Sequence, residues 1–153
     1  PNAVLKNISF LGIDQDEGAI ESARKHLASA RGDITFHQDS ILKFVLRKNK
    51  STVLGNRDLI YMMGLIDYFS VNSAHRIIKG LWESVKPGGT FLFSNAHPKN
   101  PTRVWMEYVG QWVLNYKDEK DMFDIIKGLD DVKDVDYLMD DYQVYQYMVM
   151  QKK

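Results

Sequence analysis

Short apolar runs alternate with amphipathic stretches along most of the chain. Apolar runs of this length, ending at polar residues, are typical of buried strands in a parallel sheet. Four such strands are expected, at residues 8–13, 34–37, 59–63 and 90–94. Two later runs, 132–138 and 143–151, predict a closing antiparallel strand pair, with the aspartates between them forming the turn.

Apolar residues recur at helical spacing between these strands. The first predicted helix follows Asp16, a suitable N-cap, and continues to residue 31, where Gly32 provides a stop. Strand–helix alternation of this kind predicts an α/β fold with helices on both faces of a mostly parallel sheet. Further helices are expected over residues 41–46, 73–86, 103–116 and 120–129, with residues 47–50 as an exposed loop and 87–89 as a turn.

Composition excludes several classes of protein. A chain of 153 residues with 44% hydrophobic residues can bury a core, and we expect one domain over residues 1–153. The sequence has no cysteine, which excludes a disulfide framework and a thiol nucleophile and is consistent with a cytoplasmic location. Equal numbers of basic and acidic residues, 20 of each, argue against a nucleic-acid partner. No apolar run reaches the roughly 18 residues that a membrane span needs.

The zero net charge conceals an uneven distribution. Residues 117–141 contain ten acidic and four basic residues, which gives that stretch a charge of −6. We interpret the stretch as solvated surface, because its spacing is not that of an EF-hand calcium loop. His26, His37 and His75 show no metal-ligand spacing, so no metal site is expected.

Polar residues follow the predicted strands where α/β proteins bind ligands. Asp14 ends the first strand, residues 39–40 end the second, Gly64 follows the third and residues 95–97 follow the fourth. Ligands of parallel sheets lie at the carboxyl ends of the strands, so these residues are candidates for a binding site. Each also has a structural interpretation, since an aspartate at the end of a strand is often a helix N-cap.

Four segments, in this order and spacing, resemble those of class I S-adenosylmethionine-dependent methyltransferases. The resemblance spans nearly the whole chain, and it implies S-adenosylmethionine as the cofactor and a Rossmann-like sheet. The segments are Leu11-Gly12-Ile13-Asp14 before an alanine-rich helix, Gln38-Asp39-Ser40, Asp58-Leu59-Ile60-Tyr61 leading into Gly64, and Val85-Lys86-Pro87-Gly88-Gly89-Thr90 before a strand.

The resemblance implies a role for each strand end. Asp14 would accept hydrogen bonds from both ribose hydroxyls of the cofactor, which suits a carboxylate because it has two acceptor oxygens. Asp39 would accept from the adenine amino group, and residues 40–41 would flank the ring. The residues after the third strand would line the methionine end. The implied cofactor-binding residues are Gly12, Asp14, Gln15, Asp39, Ser40, Ile41, Met62 and Gly64.

The sequence departs from the family at its most characteristic motif. The family's first strand ends in a Gly-x-Gly-x-Gly-type loop, and the ten glycines of this chain do not form that pattern. The chain starts Pro1-Asn2 rather than with Met, and we expect it to lack that first strand and to be inactive by itself. In the family the missing strand lies between those at residues 8–13 and 59–63. We expect these two strands to pair directly or through a second copy in a homodimer.

A narrower similarity points to an acceptor. Three segments resemble a bacterial methyltransferase group linked to extracellular-factor signalling, which makes 3-hydroxypalmitic acid methyl ester. The resemblance implies methyl transfer to a carboxyl or hydroxyl group of a small molecule, here a 3-hydroxy fatty acid. Lys117 stands where that group tends to have arginine. The segments are Gly64-Leu65-Ile66-Asp67-Tyr68-Phe69-Ser70, Asn95-Ala96-His97-Pro98-Lys99-Asn100-Pro101 and residues 106–117.

His97 and Tyr68 are the implied catalytic candidates. A carboxylate acceptor is already ionised at neutral pH, so transfer to it needs placement and exclusion of water rather than a base. His97 would orient that carboxylate or take a proton from a hydroxyl acceptor, although His-Pro is also an ordinary turn. The apolar helix 103–116 would either wall an acyl pocket or pack on the sheet. The implied substrate-binding residues are Asn95, Glu107, Trp112 and Tyr116.

Two other functions stay open from the sequence. A non-catalytic binding or regulatory module on a methyltransferase scaffold is favoured by the missing glycine loop. A nicotinamide-dependent oxidoreductase also places an aspartate after its second strand, but its glycine fingerprint is absent. Methylation of nucleic acid is disfavoured by the zero net charge.

Overall fold

The computed structural model describes residues 8–30 and 32–153. The chain divides into two compact units, Pro1–Lys50 and Ser51–Lys153. Both units combine helices with strands, and the sheets contain parallel and antiparallel pairs, which confirms the predicted α/β class. A single domain over residues 1–153 stays a prediction.

The first unit is a strand–helix–strand–helix arrangement. The two strands are parallel, with Asp14 opposite Gln38 at their carboxyl ends. Asp16 caps the first helix, because its carboxylate accepts from the N–H groups of Gly18 at 2.8 Å and Ala19 at 3.2 Å. The elements are β1 (Ser9–Asp14), α1 (Glu17–Leu27), β2 (Asp33–Gln38) and α2 (Ile41–Leu46), close to the predicted ranges.

Helix α1 ends at Leu27, so the predicted extension to residue 31 is wrong for residues 28–30; Arg31 lies outside the described residues. Ala28 is the C-cap, and the Ala30 N–H donates to the Leu27 carbonyl oxygen at 2.9 Å in a turn. Residues 28–30 are exposed, so burial would not stabilise another helical turn there.

The second unit contains a four-stranded mixed sheet. Its order is β3-β4-β6-β5, with β3 parallel to β4 and the other pairs antiparallel. The predicted closing strand pair is therefore confirmed. The elements are α3 (Lys50–Leu54), β3 (Arg57–Met62), a 3₁₀ turn (Ile66–Tyr68), α4 (Val71–Trp82), β4 (Val85–Ala96), α5 (Arg103–Tyr108), α6 (Glu119–Ile126), β5 (Val132–Met139) and β6 (Tyr145–Lys152).

The core of the second unit lies between the sheet and two helices. α4 packs against α6, and His75 on α4 bonds through Nδ1 to the Ile125 carbonyl oxygen at 2.8 Å. Asp140 organises the hairpin between β5 and β6, as predicted, by accepting from the Tyr145 N–H at 2.7 Å. The fully buried apolar side chains here include Ile77, Ile78, Phe91, Phe93, Met122, Ile125, Met148 and Met150.

Residues 87–89, predicted as a turn before a strand, lie inside β4 as a bulge. The register with β3 shifts between the Arg57–Val85 and Leu59–Thr90 pairs. Gly88 has φ +77°, a conformation that favours glycine. The strand therefore begins at Val85, and α4 ends at Trp82 instead of reaching residue 86.

The predicted helix over residues 103–116 stops at Tyr108. The chain reverses at Gly110, where an added Cβ would lie 2.8 Å from the Met106 carbonyl oxygen, and the Trp112 N–H donates to that oxygen at 3.0 Å. No residue of α5 is buried, so the expectation that this helix packs on the sheet is also wrong. Residues 111–118 have no regular secondary structure.

Each of the strands β1 and β3 has one strand partner among the described residues, β2 and β4 respectively. Direct pairing of β1 with β3 would join the two units and stays a prediction. Pairing through a second copy stays a prediction. No helix in the described part of the chain is long and apolar enough to cross a membrane.

Candidate functional site

The first unit brings Asp14 and Asp39 together at one edge of its sheet. The Asp39 N–H donates to the Asp14 carbonyl oxygen at 2.9 Å, because β1 and β2 are parallel and end side by side. The Asp14 side chain is exposed, and its Oδ1 accepts from the Asp16 N–H at 2.9 Å. The second carboxylate oxygen of Asp14 has no hydrogen-bond partner among the described residues and can accept from a ligand.

Asp39 differs from Asp14 in being buried and ion-paired. The Arg47 Nε lies 2.8 Å from Asp39 Oδ2, and the His37 Nε2 lies 3.8 Å from the same oxygen. Arg47 is the first residue of the run predicted as an exposed loop, and its side chain is half exposed. Its guanidinium compensates the buried charge, and so Asp39 has an internal partner before any ligand arrives.

The other candidates of the first unit have mainly structural surroundings. A Cβ added at Gly12 would lie 2.7 Å from the Phe36 ring, so packing of that ring accounts for the glycine. Ser40 occupies the N-cap of α2 without a capping side-chain hydrogen bond, and Ile41 is the first residue of that helix. The Gln15 carbonyl oxygen accepts from the Gln38 Nε2 at 3.4 Å.

The second unit places several candidates at the carboxyl ends of β3 and β4. Met62 is the last residue of β3 and is buried. Gly64 has φ +70°, and its N–H donates to the Ser94 Oγ at 3.0 Å. That hydrogen bond ties the chain after β3 to the end of the neighbouring strand.

Asp67 and Asn95 form the centre of a buried polar cluster between these strand ends. The Asp67 Oδ1 accepts from the Asn95 Nδ2 and from the Ala96 N–H, the latter at 2.7 Å. The Asp67 carbonyl oxygen accepts from the Asn115 N–H at 2.7 Å. One residue therefore joins the 3₁₀ turn, the end of β4 and the irregular segment after α5.

Lys117 completes this cluster. Its Nζ donates to the carbonyl oxygens of Asn115 at 2.8 Å and Ile66 at 3.1 Å. The Lys117 carbonyl oxygen accepts from the side-chain amide of Gln146. Lys117 is 2% exposed, which corrects its assignment to a solvated acidic stretch. The neighbouring Asp118 is exposed, as predicted, and caps α6.

Burial shifts the pKa values of Asp67 and Lys117 in the directions that favour their neutral forms. Burial raises the pKa of the Asp67 carboxyl, although the Ala96 N–H and the Asn95 amide favour its ionised state. Burial lowers the pKa of Lys117 to about 8, and the negative charges of Asp67 and Asp121 oppose that shift. Lys117 is therefore protonated at pH 7.

Tyr68 and Trp112, predicted from different segments, are in contact. The Trp112 Nε1–H donates to the Tyr68 hydroxyl oxygen at 3.2 Å. Tyr68 is 54% exposed and Trp112 is 47% exposed, so the pair lies at the surface. The Tyr68 hydroxyl still has its own proton to donate to a ligand.

Glu107 and Tyr116 are linked through Arg103. The Arg103 Nε lies 2.9 Å from the Glu107 Oε1, and the guanidinium carbon lies 4.4 Å from the centre of the Tyr116 ring. The Tyr116 hydroxyl is buried and has no hydrogen-bond partner among the described residues. Burial raises the pKa of that hydroxyl, and the Glu107 charge adds to the effect.

His97 lies in a turn directly after β4 and is 9% exposed. Its Nδ1 accepts from the Lys99 N–H at 3.2 Å, and its carbonyl oxygen accepts from the Asn100 N–H at 3.0 Å. Because Nδ1 is an acceptor, the neutral ring holds its proton on Nε2. In that state His97 can offer an N–H to a carboxylate.

No group of three or more histidine, aspartate or glutamate residues in the described ranges could hold a metal ion. The roles of Asp67, Arg47 and the buried Lys117 are not predicted from the sequence. The signal for Asp67 is weak, because it is a lone acid in a short apolar segment. Its burial and partners depend on residues far away in sequence.

A family profile described as a methyltransferase domain matches residues 2–89 of the chain. Comparison with curated proteins gives no match. Solved structures of similar fold include a possible exported protein from Bordetella parapertussis, at 18% identity and a TM-score of 0.75, covering 94% of this chain and 53% of that one. This chain therefore spans about half the length of that protein.

Two further structures are similar in fold. The N-methyltransferase NodS from Bradyrhizobium japonicum, in complex with S-adenosyl-L-homocysteine, is 15% identical with a TM-score of 0.64, covering 94% of this chain and 66% of that one. The PH0226 protein from Pyrococcus horikoshii is 16% identical with a TM-score of 0.69, covering 95% and 72%. At these identities the likeness concerns the fold.

Proposed function

Because residues 2–89 match the profile of the methyltransferase domain family, this chain belongs to that family, and we propose that it catalyses S-adenosylmethionine-dependent methyl transfer to a small-molecule carboxyl group. One observation carries the proposal: Asp14 and Asp39 lie side by side at paired strand ends, within the matched residues. The match also crosses residue 50, where the two compact units meet in sequence, which supports one methyltransferase domain.

The residues of the first unit fit the ribose part of the cofactor. Asp14 is exposed and has a free carboxylate oxygen, and charge-assisted hydrogen bonds from hydroxyls are strong. Asp39 fits the adenine amino group less simply, because Arg47 already lies 2.8 Å from its Oδ2. Binding there would use the other oxygen, with Arg47 holding the carboxylate in place. Ser40 and Ile41 would flank the ring.

The cofactor, when bound, supplies a methyl group on a positively charged sulfur. Gly64 would allow close approach of the backbone at the methionine end, beside the buried Met62. The left-handed backbone of Gly64 and its hydrogen bond to Ser94 fix the direction of the chain there. No side chain is needed at that position for binding, only space.

The hydrogen bond that His97 Nδ1 accepts favours a carboxyl acceptor. Its Nδ1 is occupied by the Lys99 N–H, so the neutral ring is better arranged to donate through Nε2 than to act as a base through Nδ1. A carboxylate needs no base, only orientation and exclusion of water. Tyr68 would donate a second hydrogen bond from its hydroxyl.

The exposed apolar residues of α5 and the segment after it support an acceptor with an apolar chain, and a 3-hydroxy fatty acid is our specific candidate. Trp105 is 70% exposed and Tyr108 is 86% exposed, although both are large and apolar. The charges of Arg103 and Glu107 neutralise each other beside them. The apolar residues are Val104, Trp105, Tyr108, Val109, Trp112 and Val113.

Calorimetric titration with S-adenosyl-L-homocysteine tests cofactor binding, both on residues 1–153 and on the full-length product of the gene. Binding to the whole protein supports the methyltransferase proposal, and its absence from both contradicts it. Transfer of a radiolabelled methyl group to 3-hydroxypalmitate, with the matching fatty alcohol as control, then tests the acceptor. Cofactor binding without transfer to any carboxyl or hydroxyl acceptor would favour a regulatory module.

A further inference from the structure

The segment 111–116 carries two candidate acceptor residues but has no secondary structure of its own. Trp112 and Tyr116 lie on it, and no helix or strand hydrogen bonds fix its path. Its position depends instead on the burial of Leu114, which is 5% exposed, and on hydrogen bonds from elsewhere in the chain. The shortest of these hydrogen bonds involve Asp67 and Lys117.

Three hydrogen bonds hold the end of this segment to the 3₁₀ turn. The Asn115 N–H donates to the Asp67 carbonyl oxygen at 2.7 Å. The Lys117 Nζ bridges the two stretches, because it donates to the carbonyl oxygens of both Ile66 and Asn115. The Asp67 carboxylate then extends the connection to Ala96 at the end of β4.

Stability alone does not explain charged residues at these positions. Burying a carboxylate and an ammonium group costs several kcal/mol per ion in desolvation, and neutral or apolar replacements often serve a core as well. Asp67 is 1% exposed and Lys117 is 2% exposed. A buried pair of charges is more consistent with fixing one conformation at a site, since each ion enforces several directed hydrogen bonds at once.

Unsatisfied polar atoms lie in the same cluster. The Asn95 Oδ1 and the Tyr116 hydroxyl are buried without a hydrogen-bond partner among the described residues. Asn95 donates from Nδ2 to Asp67 and to the Asn115 carbonyl oxygen, so its amide orientation is set. Buried polar atoms are rarely left unpaired, and a ligand or an ordered water would pair them.

We propose that Asp67 and Lys117 are positioning residues of the acceptor site: together they hold segment 111–116 so that Trp112 meets Tyr68 and Tyr116 lies beside Arg103. This inference rests on the proposed function for the identity of the acceptor. The claim that Asp67 and Lys117 hold segment 111–116 in place does not depend on that function. Neither residue needs to touch the acceptor. Each acts through the segment that it holds.

The test uses Lys117→Met and Asp67→Asn in the whole protein, with Lys120→Met as the matched control. Lys120 lies three residues further on, pairs with Asp124 at 2.7 Å and has a side chain that is 81% exposed. Lys117→Met removes the ammonium group and keeps an unbranched side chain that is one atom shorter. Asp67→Asn is nearly isosteric, removes the charge and replaces one acceptor oxygen by an NH2 group.

The readout is the indole N–H resonance of Trp112 in a ¹H–¹⁵N NMR spectrum, assigned with Trp112→Phe. In both variants we expect this resonance to move toward its position in Tyr68→Phe, where the indole has lost its hydroxyl partner. The Trp82 indole donates to the Asp130 carbonyl oxygen at 2.8 Å, and its resonance reports that the unit is folded. Lys120→Met should leave both resonances unchanged.

Ligand titrations separate positioning from stability. We expect the Kd for 3-hydroxypalmitate, kept below its micelle-forming concentration, to rise by roughly ten- to hundredfold in both variants, the scale of a small misplacement at a site. The Kd for S-adenosyl-L-homocysteine should stay within about twofold of wild type, because neither substitution removes a side chain proposed to contact this ligand.

A folded Lys117→Met protein with the wild-type Trp112 resonance and the wild-type Kd for 3-hydroxypalmitate would overturn the inference. If Lys117→Met loses the Trp82 resonance, the isosteric Asp67→Asn variant decides by the same two measurements. If wild type binds no S-adenosyl-L-homocysteine, the proposed function fails, and the Trp112 resonance still decides whether the segment is held as proposed.

Discussion

The Lys117 ammonium group donates a hydrogen bond to the Ile66 carbonyl oxygen over 3.1 Å, joining residues that are 51 positions apart in sequence. The same group donates to the Asn115 carbonyl oxygen at 2.8 Å. A lysine that sequence alone places on an acidic surface thus lies inside the molecule. Its surroundings make the second unit sensitive to pH and to loss of Asp67.

The pH dependence of stability should carry a signature of Lys117. Burial lowers the pKa of its ammonium group to about 8 in the folded protein, from 10.5. Between these values the unfolded chain binds more protons than the folded one, so this group's contribution to the free energy of unfolding rises with pH. Below pH 8 both states are protonated, and the full cost of the buried charge remains.

We therefore expect the difference in Tm between wild type and Lys117→Met to change in favour of wild type from pH 7 to pH 10. Thermal unfolding followed by circular dichroism measures it. The acidic groups facing Lys117 are Asp67 and Asp121, and burial raises the pKa values of Tyr116 and Tyr145 above their usual range. A constant Tm difference would contradict the assignment.

Replacing Asp67 by alanine should strongly destabilise the protein. It leaves the Ala96 N–H and the Asn95 amide without their acceptor and removes the negative charge that most favours the protonated form of Lys117. Breaking a buried charged network of this kind costs about 3–5 kcal/mol in free energy of unfolding. Urea denaturation measures the loss. Asp58→Ala, which removes an exposed partner of Lys86, should cost far less.

Replacing Asp14 by alanine should weaken cofactor binding in the whole protein. The lost charge-assisted hydrogen bonds correspond to roughly 1–3 kcal/mol, or about ten- to hundredfold in Kd for S-adenosyl-L-homocysteine. Isothermal titration calorimetry gives the value. Asp33→Ala is the control, because Asp33 is an exposed aspartate at the other end of the same strand pair. Equal affinity of the two variants would remove Asp14 from the proposed site.

Replacing Gly64 should strain the chain after β3. Gly64 has φ +70°, so an alanine there would cost about 1–2 kcal/mol in stability, whereas asparagine tolerates this region better. We expect Tm to fall in the order wild type, Gly64→Asn, Gly64→Ala. An added Cβ would meet Asp67 only at 3.7 Å, so the cost is conformational and not steric. An alanine variant as stable as wild type would show that the chain adopts another conformation there.

Much of the candidate site followed from the strand ends. Asp14 and Asp39 were predicted from the polar residues that close two apolar runs, and the structure places them side by side. Tyr68 and Trp112 were predicted separately from segments of the narrower resemblance, and their hydrogen bond appears only in the structure. Arg47, predicted as part of a loop, could not be assigned to Asp39 without the fold.

The sequence by itself determined the strands, their order along the chain and the α/β class. The alternation of apolar runs, the helix cap at Asp16 and the hairpin turn at Asp140 all act over a few residues. Tertiary structure alone decided where α5 stops and that Lys117 is buried. The physical reason is that burial depends on which distant segments meet. A helix without a buried residue gains little from packing and ends early. A lysine is buried only where carbonyl oxygens and an opposite charge from elsewhere in the chain interact with it.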